Sequence, residues 1–184
     1  MFDVDRFVAD CRDALRETQP ALAVKELLER VVAHPAAIDA TLGASDRGGF
    51  RTLHHSAQLT VLQLIWPPAV VLFPHDHRMW AANGIYGGAE DNTYFRRVPR
   101  GTIQRSGGTR LETGTVALLG ADAIHAVSNP SAGYTAAIHV YGGDYFATPR
   151  SQWDPATLAE QPFDVDAVRQ VLADADARTR SEAE

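Results

Sequence analysis

Residues 60–74 read TVLQLIWPPAVVLFP, two short runs of β-branched, aliphatic and aromatic residues separated by a pair of prolines. Runs of this length and composition, bounded by Gly, Pro, Asn or Asp, are typical of β-strands. The pattern predicts strands over Thr60–Trp66 and Val70–Pro74. Similar runs and turn residues alternate from Leu59 to Tyr145, so we predict that the middle of the chain is all β.

Further strands are expected in the same region. Their predicted ranges are Met79–Tyr86, Asn92–Val98, Gly101–Gln104, Arg110–Glu112, Thr115–Leu119, His125–Asn129 and Tyr134–Tyr141. So many short strands at nearly even spacing favour a closed antiparallel barrel or a jelly roll.

Helices are predicted on both sides of this β region. Apolar residues recur every three or four positions from Val4 to Leu15 and again from Pro20 to about His34, which predicts two amphipathic helices. Residues 35–58 are interpreted as a connector with at most one short element. Helical spacing returns over residues 165–172, and the polar run Ala175–Glu184 is expected to fray.

The length and composition predict one domain of 184 residues. We divide it into a helical N-terminal segment (1–49), a β-barrel (50–146) and a helical C-terminal segment (147–184). A hydrophobic fraction of 45% with 22% charged residues argues against a disordered chain. No stretch reaches the roughly 18 uncharged apolar residues that a membrane span needs.

The charge pattern narrows the expected partners and location. A formal net charge of −6 is opposite in sign to that of a typical nucleic-acid binder. The chain begins with acidic residues where an export signal carries basic ones, so we expect no export signal and a cytoplasmic location. The single cysteine, Cys11, excludes an intrachain disulfide, so a metal site must use histidine and carboxylate ligands.

Two histidines, His75 and His77, alternate along the chain, and alternate residues of a strand project to the same face. Neutral imidazole nitrogens bind first-row transition metals. A folded-back barrel brings a later histidine, His125, near this pair, and a metal then provides one partner for three buried imidazoles. The competing interpretation is that these imidazoles lie at the surface or at the edge of the core.

A second polar pair, His139 and Tyr141, lies on the last predicted strand, again two residues apart and on one face. A buried tyrosine hydroxyl usually has a hydrogen-bond partner, and a neighbouring imidazole provides one with or without catalysis. The spacing alone therefore leaves both catalysis and ordinary packing open.

These motifs resemble those of the cupins over about residues 50–145. The first motif corresponds to His75-Asp76-His77 with Gly84 and Gly88, and the second to Gly120 through His125 to Asn129. General cupins add a glutamate ligand three or four residues after the histidine pair, where this chain has Trp80 and Ala81.

The missing glutamate makes the pattern similar to the thiol dioxygenase branch, which includes cysteine dioxygenase and the bacterial 3-mercaptopropionate dioxygenases. The stretch HDHRMWAANGIYGGAE (75–90) is similar to the HDH-x-x-W-x-x-x-G-x-x-x-G-x-E run of the bacterial members. His139-Val140-Tyr141 matches the end of the family's Ser-His-Tyr relay, with Ala137 at the serine position. The cysteine that forms a thioether in the mammalian enzymes has no counterpart.

The resemblance implies a mostly β, cupin-type double-stranded β-helix (a jelly-roll barrel) with flanking helices. It also implies a non-haem iron(II) thiol dioxygenase that oxidises a small thiol, such as cysteine or 3-mercaptopropionate, to its sulfinic acid with O2. His75, His77 and His125 are then the Fe(II) ligands, and Tyr141 with His139 is catalytic.

Two residues are candidates for substrate binding. Phe50-Arg51-Thr52-Leu53 is similar to the family segment whose arginine holds the substrate carboxylate, so Arg51 is the candidate anchor. Trp80 is close enough to His77 in sequence to line the pocket. The alternatives are a solvated Arg51 and a Trp80 that fills the core.

The residues Glu90, Arg96 and Arg97 are expected to be solvated on an edge-like strand. Two other functions stay open: a cupin of different metal chemistry, such as a non-redox isomerase or hydrolase, and a cupin module that binds a small ligand. Metal analysis combined with oxygen consumption separates the two enzyme classes.

Overall fold

The computed structural model describes residues 1–99 and 101–182. The helices are α1 (Val4–Ala14), α2 (Pro20–Val32), α3 (Pro35–Leu42) and α4 (Val165–Ser181). The strands are β1 (Gly49–His55), β2 (Thr60–Trp66), β3 (Val71–Asp76), β4 (Ala81–Gly87), β5 (Ala89–Val98), β6 (Thr102–Glu112), β7 (Val116–Leu119), β8 (Ile124–Ser128), β9 (Thr135–Tyr141), β10 (Ser151–Trp153) and β11 (Glu160–Pro162). No helix within the described ranges is long and apolar enough to cross a bilayer.

The strands form two antiparallel sheets. The five-stranded sheet has the order β1-β2-β9-β4-β7, and the six-stranded sheet has the order β11-β10-β3-β8-β5-β6. One apolar cluster contains side chains from both sheets, including Leu64 of β2 and Val127 of β8, so the sheets pack face to face. This arrangement confirms the predicted mostly β fold, a cupin-type double-stranded β-helix with helices at both ends.

The two faces of β9 have different surroundings. Ala136, Ile138 and Val140 pack in the cluster that also contains residues of α1, α2 and α3. Tyr141 packs in the cluster between the sheets, and alternation along the strand directs His139 to that same side. Because helices cover the outer face, all seven residues of β9 are buried, and the polar residues Thr135, His139 and Tyr141 all lie on the inward side.

The structure adds elements that the sequence did not predict. Helix α3 and strand β1 lie within the predicted connector, and β10 and β11 follow the barrel. A single strand, β6, replaces two predicted ones. The gap between them contains Gly107 and Gly108. A side chain at Gly108 would place Cβ 2.9 Å from the carbonyl oxygen of Asn92, so glycine permits close pairing with β5.

The prediction that Ala175–Glu184 frays is wrong for the part up to Ser181, which belongs to α4. The side chain of Asp176 is buried, and its carboxylate accepts hydrogen bonds from the backbone N–H of Gly48 (2.6 Å) and from the hydroxyl of Tyr134 (2.9 Å). These bonds hold the last turns of the helix against the start of β1 and the approach to β9. Residues 183 and 184 lie outside the described residues.

Helix α2 packs so closely on β4 that Gly84 has no room for a side chain. A Cβ there would lie 2.8 Å from Cγ of Leu28 and 2.9 Å from Cγ1 of Val32. We expect Gly84→Ala to lower the free energy of unfolding by about 1–3 kcal/mol, the usual cost of overpacking. Urea unfolding followed by circular dichroism measures this. Gly107→Ala, at a strand position with nothing within 4 Å, is the control, and an equal loss in both variants contradicts the packing argument.

Candidate metal centre

Three histidines meet between the two sheets. His75 on β3 lies directly opposite His125 on β8 in the strand register, and His77 follows one residue after the end of β3. One ring nitrogen from each lies within 4.8 Å of the others. All three side chains are at most 3% exposed. The structure therefore brings together the three residues that the sequence nominated as metal ligands.

The residue between the two neighbouring histidines fixes this segment. The carboxylate of Asp76 accepts a hydrogen bond from the backbone N–H of Ser151 (2.8 Å) and forms ion pairs with Arg78 (3.0 Å) and Arg97 (3.3 Å). Because alternate residues of a strand face opposite sides, these bonds draw Asp76 away from the histidines. The end of β3 is thereby attached to the start of β10.

In two of the three imidazoles, a hydrogen bond identifies the nitrogen that is free to bind a metal. Nδ1 of His75 lies 3.0 Å from the carbonyl oxygen of Phe73, which only accepts, so Nδ1 carries the hydrogen. Nδ1 of His125 lies 2.6 Å from Oδ1 of Asn92, with the same consequence. Both rings then present an unprotonated Nε2, the usual arrangement for a metal-bound histidine.

The third imidazole, His77, has its Nε2 3.0 Å from Nε2 of His125. Neighbouring ligands at about 2.1 Å from one octahedral metal ion lie about 3 Å apart, so this separation suits two ligands of one ion. Nδ1 of His77 is buried and has no hydrogen-bond partner among residues 1–99 and 101–182. Three imidazole nitrogens without a carboxylate fit a first-row divalent ion such as Fe(II) or Zn(II).

The environment keeps these imidazoles neutral at neutral pH. Burial, against the opposing effect of the Phe73 carbonyl and with a smaller contribution from the Arg150 guanidinium, lowers the pKa of His75 to about 4. Burial, with the neighbouring His75, also holds the pKa of both His77 and His125 well below 6.5. A metal can therefore bind without first displacing protons.

The pair His139 and Tyr141 faces the three histidines from the other sheet. Nδ1 of His139 lies 3.1 Å from the hydroxyl of Tyr141, and the rings of Tyr141 and His77 are 5.0 Å apart. Burial, with the neighbouring Tyr145, raises the pKa of Tyr141 well above 10. The phenol therefore keeps its proton at neutral pH.

An arginine that the sequence did not nominate, Arg150, lies beside this group. Its guanidinium is sandwiched between the rings of Tyr145 (4.2 Å) and Phe163 (3.8 Å), which pack against the rings of His77 and His75 respectively. Nη1 donates to the carbonyl oxygens of Tyr145 and Thr148. The side chain is only 8% exposed, yet Nε and Nη2 have no partner within the described chain. No local sequence signal marks Arg150, since it lies in an irregular segment after β9.

The prediction that Glu90 is solvated is wrong, because its side chain is 0% exposed. Strand β5 is flanked by β8 and β6 and is not an edge strand, so its alternate residues point into the interior. Oε1 of Glu90 accepts a hydrogen bond from Nδ2 of Asn92 at 2.8 Å. The spacing of Glu90 and Asn92, two residues apart on a predicted strand, could have indicated a shared polar face. Arg96 and Arg97 are exposed, as expected.

The two predicted substrate-binding residues have other neighbours. Arg51 is exposed, and its Nη2 donates to the carbonyl oxygen of Leu42 (3.2 Å). Trp80 packs against the helix-side cluster and over Gly142, whose backbone leaves space for the indole. Their roles in substrate binding stay predictions.

The stability of the metal-free protein is expected to depend on pH through His75. Its pKa is about 4 in the folded chain but near 6.5 when unfolded, so below pH 6.5 the unfolded chain binds more protons and stability falls until about pH 4. Above pH 6.5 this contribution is fully present. Urea unfolding at about pH 7.5 and pH 5 measures the fall. We expect a smaller fall for His75→Gln; an unchanged pH dependence in that variant contradicts the assignment.

Comparisons with known proteins found likenesses of low sequence identity. No family model matches the chain. A cupin-family protein from Methanocaldococcus jannaschii with a double-stranded β-helix fold is 9% identical, over 55% of this chain and 84% of that chain, with a TM-score of 0.46. An oxalate decarboxylase from Lactobacillus farciminis is 15% identical (55% and 30% covered, TM-score 0.44), and a DMSP lyase from Ruegeria pomeroyi is 19% identical (63% and 57%, 0.46). The likeness concerns the fold, and the activities are those of the other proteins.

Proposed function

We propose that this protein is a non-haem iron(II) thiol dioxygenase, which oxidises a small thiol to its sulfinic acid with O2. The observation that carries the proposal is the group of three buried, neutral imidazoles that contains no carboxylate. The reaction adds both atoms of O2 to the sulfur, so RSH and O2 give RSO2H and no further reductant is needed.

The ligand set suits an anionic sulfur donor. Three neutral ligands leave the full charge of a divalent ion uncompensated, and Fe(II) bound there supplies open positions for a thiolate and for O2. A carboxylate in the ligand set would reduce that positive charge. The all-imidazole group therefore favours binding of a thiolate, whose charge offsets that of the ion.

The pair Tyr141 and His139, on the sheet opposite the three histidines, can hold a proton. Tyr141 keeps its hydroxyl proton at neutral pH, and the hydrogen bond to Nδ1 of His139 orients that hydroxyl. A phenol hydrogen-bonded to an imidazole can pass its proton to that imidazole and take it back, so the pair can supply or accept a proton beside the three histidines. We assign Tyr141 the catalytic role and His139 the role of orienting it.

Arg150 is the better-placed anchor for a substrate carboxylate. Its unpartnered Nε and Nη2 form the edge of the guanidinium that binds a carboxylate through two parallel hydrogen bonds. The stacked rings of Tyr145 and Phe163 hold it next to the histidines. A short thiol with a carboxylate at its other end, such as cysteine or 3-mercaptopropionate, carries one group for the metal and one for the guanidinium.

The proposal is tested by oxygen uptake. Protein reconstituted with ferrous iron is expected to consume O2 with cysteine, 3-mercaptopropionate or cysteamine, and His77→Ala is expected to lose both the iron and at least about 99% of the rate, since a ligand is removed. His34→Ala, which alters an exposed histidine of the helical region, is the control. Bound metal without O2 uptake across the thiol panel refutes the proposal and favours a non-redox metal enzyme.

The anchor is tested by comparing two arginines. We expect Arg150→Lys to raise KM for a carboxylate-bearing thiol about 10-fold or more, because one charged hydrogen bond contributes about 1.5–3 kcal/mol. The same variant is expected to change KM for cysteamine, which has no carboxylate, by much less. Arg51→Lys is the comparator. If Arg51→Lys raises KM and Arg150→Lys does not, the anchor is Arg51.

A further inference from the structure

The fully buried carboxylate of Glu90 has one oxygen in a hydrogen bond and one without. Oε1 accepts from Nδ2 of Asn92 (2.8 Å), whereas Oε2 has no hydrogen-bond partner in the described chain. An ionisable group with an unsatisfied buried oxygen is costly. Its presence in the interior therefore requires a role for the second oxygen.

The nearest basic group to that oxygen is on the opposite sheet. Oε2 lies 3.6 Å from Nε2 of His139, slightly beyond hydrogen-bonding distance. Nε2 of His139 is itself buried and has no hydrogen-bond partner among the residues described. Ala137, which shares the face of His139 two residues earlier on β9, has no hydroxyl to offer. The two unsatisfied atoms are therefore complementary neighbours.

We propose that Glu90 is the positioning residue of this centre and fixes which nitrogen carries the hydrogen on two histidines, one from each sheet. A carboxylate can only accept, so Nε2 of His139 carries its hydrogen toward Glu90. Nδ1 of His139 then accepts from the hydroxyl of Tyr141. The consequence for Tyr141 rests on the proposed function: its proton is directed to His139, and its free lone pairs face the three histidines.

The other oxygen of Glu90 acts on His125 through Asn92. Because Nδ2 of Asn92 donates to Glu90, its Oδ1 is the atom that faces His125. An oxygen in that position accepts the hydrogen of Nδ1 and leaves Nε2 of His125 free for a metal. Glu90 thus determines the orientation of the amide, and the amide determines the protonated nitrogen of His125.

The variant Glu90→Gln gives a directional test. Its amide oxygen can still accept from Asn92, and its amide nitrogen then faces His139 and donates to it. The hydrogen on His139 is expected to move from Nε2 to Nδ1, while that on His125 stays at Nδ1. Two-bond 1H–15N correlation spectra of the 15N-labelled, metal-free protein distinguish these forms, with the His139 signals assigned from their loss in His139→Gln.

Asp91→Asn is the matched control, because it removes a negative charge from the adjacent residue, whose side chain is 35% exposed and paired with Arg110. It is expected to leave both histidines unchanged. Asn83 pairs with His139 across the strands, and its buried amide also has no hydrogen-bond partner in the described chain. If that amide sets the hydrogen of His139, Glu90→Gln leaves it at Nε2, and the proposal is overturned.

The proposal is also overturned if the unsubstituted protein carries the His139 hydrogen at Nδ1 alone, a result that does not depend on the folding of any variant. The spectra require no thiol, oxygen or metal. If no O2 is consumed but the spectra are as expected, the thiol dioxygenase is rejected and the role of Glu90 stands. If thiol and O2 are consumed but the His139 hydrogen stays at Nε2 in Glu90→Gln, the role of Glu90 is rejected and the thiol dioxygenase stands.

Discussion

The polar atoms buried between the two sheets need hydrogen-bond or metal partners, and the rest of the structure depends on this constraint. His75, His77 and His125 occupy space that Leu, Ile and Val usually fill in a small barrel. Burial keeps the three rings uncharged, and the hydrogen bonds that Nδ1 of His75 and His125 donates to the oxygens of Phe73 and Asn92 leave Nε2 of these two rings unprotonated. A bound cation is the chemical partner that completes such a group, because it coordinates all three nitrogens at once.

The two sheets contribute different chemistry to one centre. The six-stranded sheet supplies the histidine group and Glu90, and the five-stranded sheet supplies His139 and Tyr141. The helical layer on the outer face of β9 and β4 makes this division stable, since it buries the backs of the strands whose inner faces are polar. The cost of a polar interior is thus offset by an apolar layer outside the sheet.

The sequence predicted those elements in which residues of one kind recur at a regular spacing. The runs in β2 and β9, the alternation of His75 and His77, and the amphipathic spacing of α1 and α2 all identify their elements. Helix α3, β1 and the short β10 and β11 have no such period, because tertiary pairing rather than pattern holds them. Arg150 has no signal at all, since only the folded chain stacks it on Tyr145 and Phe163. The prediction for Glu90 assumed that β5 is an edge strand. The order of strands in a sheet is a tertiary property that the local sequence does not carry.

The attachment of Asp76 to Ser151 has a consequence for selectivity. Asp76 lies between two histidines in the chain, and Ser151 follows Arg150 directly, so the hydrogen bond from the Ser151 backbone N–H to the Asp76 carboxylate links the histidine segment to the arginine segment. The distance between the imidazole group and the guanidinium is therefore restrained by short covalent paths on either side of this bond. If both groups bind one substrate, as proposed, this restraint favours substrates whose two binding groups are separated by a matching number of carbon atoms.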